Sequence, residues 1–110
     1  MIEETIKQIE ARIQSAESLA PERRRELVDL LGTLKAEAGE LAKTHQEQAQ
    51  SIVGFAQATT NEATRAKQDP QLLNQSVETL RRSVEDFEKS HPRLAQIVNT
   101  ISTTLSNSGI

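Results

Sequence analysis

Two histidines, His45 and His91, are the side chains of this sequence best suited to proton transfer or metal binding. Nucleophilic catalysis needs a base beside the nucleophile, and in this chain, which has no cysteine, only these two histidines could serve. His91 directly precedes a proline, and this pattern predicts a helix junction at which Ser90 or the His91 ring caps backbone N–H groups. We therefore interpret Ser90, His91 and Pro92 as a structural junction and expect no catalytic residue in the chain.

One pair of residues, Glu88 and His91, has the Glu-x-x-His spacing that helical bundles use for metal sites. Pro92 interrupts the helix at this point, and the sequence contains no second pair of this kind. His45 lies on or near the apolar stripe of its helix, where a partly buried and hydrogen-bonded histidine is the usual arrangement. No glycine-rich phosphate loop is present. The sequence therefore predicts a protein that is not an enzyme and uses no metal or cofactor.

Arginine clusters at residues 23–25 and 81–82 are the candidates for nucleic-acid contacts. Acidic residues flank both clusters, no aromatic residue is interleaved for base stacking, and the formal net charge is −3. The spacing of Glu78 and Arg82 is that of an ion pair on a helix surface. We therefore expect no nucleic-acid partner.

Composition limits the architecture in which these residues can be placed. The 110 residues are enough for a single domain over residues 1–110. Aromatic residues make up only 2% of the chain, which favours thin seams between helices over a thick core. The acidic N-terminus is unlike a signal peptide, and no run of about twenty apolar residues could span a bilayer. With the absence of cysteine, these features favour a cytoplasmic protein.

Apolar residues recur at alternating steps of four and three along most of the chain, which predicts amphipathic helices. Proline is accepted in the first turn of a helix, so Pro21, Pro70 and Pro92 indicate helix starts. Asp69 is a natural N-cap for the helix that begins at Pro70. The predicted helices cover about residues 2–18, 21–67, 70–89 and 92–107.

The second predicted helix is unusually long, because no clear stop signal interrupts it between Pro21 and about Lys67. At a rise of ~1.5 Å per residue it would be roughly 70 Å long, and a break near Gly54 is the alternative. The predicted fold class is all-α, an elongated antiparallel helical hairpin or bundle of four helices with coiled-coil-like packing. We also expect Gly109 to end the last helix and Ile110 to dock on the bundle.

Residues 48–61 of the second predicted helix carry no charge and contain apolar residues that are not confined to one stripe. Because charged residues are depleted in the core of an interface, we predict that this segment packs against a second copy of the chain. Two helical hairpins would then form a four-helix bundle across a twofold axis. The predicted interface residues are Ile52, Val53, Phe55, Ala56 and Thr59. The alternative is a solvated polar helix.

The function that follows is a non-enzymatic helical protein that acts through oligomerisation or interaction. We expect a homo-oligomer, either a dimer or a four-helix assembly, and leave open an unidentified protein partner. The alternative function is that of a peripheral membrane-surface protein, because several stretches are amphipathic. Membrane-surface helices carry Lys and Arg above Trp or Phe, however, and the first helix is acidic while the last has neither feature. We therefore favour self-association.

The last 28 residues, SVEDFEKSHPRLAQIVNTISTTLSNSGI, resemble the end of a bacterial family known as domain of unknown function 4404. Members close with Phe-Glu, His-Pro-x-Leu-Ala, a further helix and Gly-Ile, which here are Phe87, Glu88, His91, Pro92, Leu94, Ala95, Gly109 and Ile110. The segment ESLAPERRRELVDLL is similar to the short helix, turn and second helix of that family, whereas residues 39–68 look like additional length. The resemblance implies a small, helical, bacterial and cytoplasmic protein, and it implies no activity, cofactor or catalytic residue.

Overall fold

Five α-helices joined by short segments make up the computed structural model, which describes residues 1–108 except for the side chain of Ser108. The helices are α1 (Ile2–Ser15), α2 (Pro21–Ala42), α3 (Gln46–Ala63), α4 (Pro70–Arg82) and α5 (Pro92–Ser108). The prediction of an all-α protein is confirmed, and the prediction of four helices is wrong. The expectations for Gly109 and Ile110 concern residues outside the described part of the chain.

The helix predicted over residues 21–67 is two helices, because the chain turns after α2. At the end of α2 the backbone N–H groups of Lys43 and Thr44 bond three residues back instead of four, which tightens the last turn. The Thr44 hydroxyl lies 2.8 Å from Nδ1 of His45, and His45 leaves the helical region with φ −138° and ψ 66°. The His45 carbonyl then accepts from the N–H of Ala49 in the first turn of α3. The alternative break near Gly54 is also wrong, because Gly54 lies within α3.

This turn changes the shape of the whole molecule. An uninterrupted helix over residues 21–67 would be roughly 70 Å long, whereas the longest dimension of the structure is 38 Å. The 22 residues of α2 and the 18 residues of α3 instead lie side by side. The predicted elongated hairpin with a coiled-coil seam is therefore replaced by a five-helix bundle.

Side-chain contacts show the direction of the helices. Gln57 Nε2 donates to Gln8 Oε1 at 2.7 Å, and Arg12 Nε donates to Thr64 Oγ1 at 2.9 Å. From the first contact to the second the residue number rises on both sides, so α1 and α3 run parallel. The short connections reverse the chain between successive helices. Successive helices therefore run in opposite directions. The third helix, α3, contacts all four other helices.

The central position of α3 explains its unusual composition. Its buried residues form a broad band: Ala49, Ile52, Val53, Ala56, Thr59, Thr60 and Ala63. A helix with neighbours on several sides has little room for charged side chains, and small residues let those neighbours approach. The Thr60 hydroxyl donates to the Ala56 carbonyl at 2.9 Å, so this buried polar group is satisfied. The charge-free stretch is thus largely the middle of the chain's own bundle.

The start of α4 agrees with the sequence pattern, and its end does not. Asp69 Oδ1 accepts from the N–H of Gln71 at 3.0 Å, and Pro70 is the first residue of the helix. The helix ends at Arg82, well before residue 89, because the Ser83 hydroxyl donates to a carbonyl of the last turn at 2.6 Å and competes with the backbone. A short 3-10 turn, Glu85–Phe87, then leads towards α5.

Candidate interaction surface

Four of the five residues predicted to form an interface lie inside a single chain. Ile52, Val53, Ala56 and Thr59 each expose 1% or less of their surface. They are buried because α3 is enclosed by other helices of the same chain. Phe55, in contrast, remains 37% exposed. The surface that the charge-free stretch offers to a partner is therefore smaller than predicted, and Phe55 is its main apolar group.

Phe55 lies on an outer face that α3 and α4 form together. It separates two shallow hollows, one lined with residues of α4 and the other with the first turns of α3. Leu72, which is 41% exposed, follows the same side of α4, since Ser76 and Thr79 come four and seven residues later. We call this surface the neutral face. Its residues are Leu72 and seven residues that line the hollows: Gln48, Ser51, Phe55, Ala58, Gln75, Ser76 and Thr79.

The two helices of the neutral face are connected beneath it. The Thr59 hydroxyl lies 2.8 Å from the Phe55 carbonyl oxygen and 3.1 Å from the Ser76 carbonyl oxygen of α4, so its single proton is shared between the two helices. The eight residues of the neutral face are uncharged, and the exposed Glu47 also lines the hollow beside Gln48 and Ser51. Covering this surface would bury apolar area and hydrogen-bonding groups, and the contact would have to leave the Glu47 carboxylate in water, because burying an ion is costly.

The two histidines lie at helix junctions: His45 lies between α2 and α3, and His91 directly precedes α5. Each flanks the half-buried ring of Phe87, with ring centroids 5.4 Å away for His45 and 6.1 Å away for His91. The Nδ1 atom of His91 lies 3.0 Å from the Ser90 hydroxyl, and Pro92 is the first residue of α5. The His91 carbonyl accepts from a backbone N–H in the first turn of α5. Each described contact of Ser90, His91 and Pro92 therefore belongs to the helix junction.

Within residues 1–108 no three His, Cys, Asp or Glu residues come together as a metal site. None of the helices in this part of the chain is long and apolar enough to cross a membrane.

The sequence interpretation missed a second surface feature. A groove of about 820 Å³ runs along the outer side of α2, next to the first residues of α1 and α3. Gly32, Ala36 and Gly39 line it, and Met1 at its edge is 82% exposed. The spacing of these three small residues, at steps of four and three, was visible in the sequence. It was overlooked because glycine inside a helix was read only as a weak point.

The fold defines a small all-α protein, a bundle in which successive helices run antiparallel. The chain belongs to the family described as Domain of unknown function (DUF4404), whose family model matches residues 27–110. The family resemblance is thereby confirmed, and the matched range includes residues 39–68 and begins within the segment ESLAPERRRELVDLL at residues 17–31. No curated protein and no solved structure matched the chain.

Proposed function

We propose that this protein is a non-enzymatic interaction module that associates with a second copy of itself through the neutral face. The observation that carries this proposal is the 37% exposure of Phe55 between two hollows whose lining residues include a single charged one, Glu47. Three large hydrophobic residues are exposed in the described chain, and two of them, Phe55 and Leu72, lie on this face. Aromatic residues are enriched and charged residues depleted in the cores of protein interfaces.

A twofold arrangement fits the shape of this surface. The neutral face consists of two adjacent antiparallel helices, so two copies placed face to face would bring four helices together as a bundle. In such an arrangement the same patch is used on both copies, and Phe55 of one chain lies near its counterpart. The amide and hydroxyl groups of Gln48, Gln75 and Thr79 can then form hydrogen bonds around the apolar centre.

The proposal includes a bacterial and cytoplasmic setting, supported by the family resemblance and by a composition without cysteine. A membrane surface is the rival partner for Phe55. Binding to anionic lipid needs Lys or Arg beside the apolar residues, and the neutral face has neither. The chemistry of this face therefore favours a protein partner.

Sedimentation velocity of the wild-type protein and of Phe55→Glu, at low and high micromolar concentration, tests the proposal. We expect the wild type to self-associate and Phe55→Glu to lower the average mass, because the carboxylate would be buried without a partner. Gln14→Glu, which adds the same charge at an exposed position of α1, is the control and should leave the mass unchanged. Circular dichroism should show equal helix content in all three proteins.

Two results would contradict this function. A wild-type protein that stays monomeric at high concentration would exclude self-association. An unchanged mass for Phe55→Glu would exclude the neutral face as the interface. Flotation of the wild type with vesicles of anionic or neutral lipid, abolished by Phe55→Glu, would favour the membrane rival.

A further inference from the structure

The groove along α2 is distinct from the neutral face. Apolar atoms provide more of its lining surface than polar atoms do, although Glu3, Lys35, Glu40 and Lys43 also line it. Met1 at its edge is the third exposed large hydrophobic residue of the described chain. No residue lines both the groove and the hollows beside Phe55. All three exposed large hydrophobic residues therefore belong to one of these two surfaces.

Two opposite charges lie at the ends of the exposed stripe of small residues on α2: Lys43 lines the groove, and Asp29 lies beyond its other end. The outer stripe of α2 runs from Asp29 to Lys43 at steps of three, four, three and four, and Ala36 is its midpoint. Asp29 lies seven residues before Ala36 and Lys43 lies seven residues after it. Both charged residues are exposed. If two α2 helices cross antiparallel at Ala36, a twofold axis places Asp29 of each copy opposite Lys43 of the other.

From this charge complementarity we infer that the groove docks α2 of another copy of this chain, in an antiparallel arrangement centred on Ala36. The inference goes beyond the proposed function because it concerns a different surface. Lys43 also pairs with Glu40 of its own chain at 3.1 Å, but both side chains are largely exposed and such pairs contribute little. Pairing of Lys43 with Asp29 of the second copy would replace this weak contact.

The glycines of the groove fit this arrangement. A Cβ atom built at Gly32 or Gly39 meets nothing within 4 Å, so packing inside the chain does not require glycine at either position. Glycine is a poor residue for the interior of a helix. A second helix lying close against α2 gives these small residues a role, because the distance between helix axes depends on the side chains at the contact.

Two separate twofold contacts on one chain have a consequence for assembly. Either contact alone joins two copies, whereas both together join pairs into a tetramer or a longer row. The groove contact should therefore persist when the neutral face is disabled. In Phe55→Glu, the species that remains at high concentration is expected to be a dimer held by the groove.

A charge exchange in the Phe55→Glu background tests the groove by sedimentation velocity. Asp29→Lys and Lys43→Asp should each convert the remaining dimer to monomer, because each brings like charges together across the twofold axis. The variant that carries both exchanges restores opposite charges and should dimerise again. Rescue by the double exchange distinguishes a specific antiparallel pairing from a general effect of surface charge.

A steric variant gives a second measurement. Ala36→Trp in the same background fills the crossing point and should abolish the dimer, whereas Ala11→Trp at an exposed position of α1 should not. A Phe55→Glu protein that is already monomeric, or exchanges that leave its mass unaltered, would overturn the groove inference and leave the neutral face standing. Loss of association through groove variants alone, with Phe55→Glu behaving as wild type, would overturn the proposed function and support the groove.

Discussion

The Nη2 atom of Arg24 lies 2.7 Å from the carbonyl oxygen of Ala16, so a side chain of α2 holds the end of α1. The same atom lies 3.3 Å from the Leu19 carbonyl, and Nε lies 3.3 Å from the Ile13 carbonyl. The last carbonyls of a helix have no partner within the helix, and a cation is favourable at this end. Arg24 therefore connects the α1–α2 hairpin through the backbone, independently of the apolar contacts between the two helices.

Replacing Arg24 with Gln should lower the free energy of unfolding by about 1–2 kcal/mol, since it removes charge-assisted hydrogen bonds from a half-buried position. Urea denaturation at neutral pH measures this difference. Arg25→Gln removes the same charge from the exposed neighbouring residue and should change stability by no more than about 0.5 kcal/mol. Equal effects of the two variants would show that the contacts to the α1 carbonyls do not stabilise the hairpin.

Gly39→Ala in α2 and Gly54→Ala in α3 should each raise the free energy of unfolding by up to about 1 kcal/mol. Both residues are helical, and a Cβ atom at either position meets nothing within 4 Å. Thermal unfolding followed by circular dichroism, at low protein concentration where the chain is monomeric, measures the gain. A lower melting temperature for either variant would show that the bundle of the single chain requires glycine at that position.

Local signals in the sequence predicted the helix starts correctly. Pro21, Asp69 and Pro70 act within one turn, through a fixed φ angle or a capping carboxylate, and tertiary packing did not override them. The turn at His45 was missed because no local signal of this kind marks it. The step of four and three continues through the turn without interruption, and no glycine or proline marks it.

The exposed surfaces could not be predicted from local pattern, because burial in this bundle depends on which helices surround α3. Ile52 and Val53 are adjacent in sequence and both buried, which requires neighbours on more than one side. The sequence did indicate that the apolar residues of this stretch are not confined to one stripe, but we attributed their burial to a second chain. Phe55 is exposed because it lies on the one side of α3 that no other helix covers, and its residue type alone does not reveal this.

Thr59→Val should lower the free energy of unfolding by about 1 kcal/mol, because it removes a buried hydroxyl that joins α3 to the Ser76 carbonyl of α4. Thr60→Val is the matched control. Its hydroxyl is also buried, yet the bond it donates goes to the Ala56 carbonyl of its own helix. Because valine keeps the shape of threonine, the comparison isolates the connection between helices from packing.

Urea denaturation of the two variants provides the stability difference, and hydrogen exchange locates it. We expect faster exchange of the α4 amides in Thr59→Val than in Thr60→Val, since α4 contacts the rest of the bundle through α3 and α5. Indistinguishable exchange in the two variants would mean that apolar contacts alone hold α4 in place. The neutral face would then depend on Leu73, Val77 and Leu80, the buried residues of α4, and not on the hydroxyl beneath Phe55.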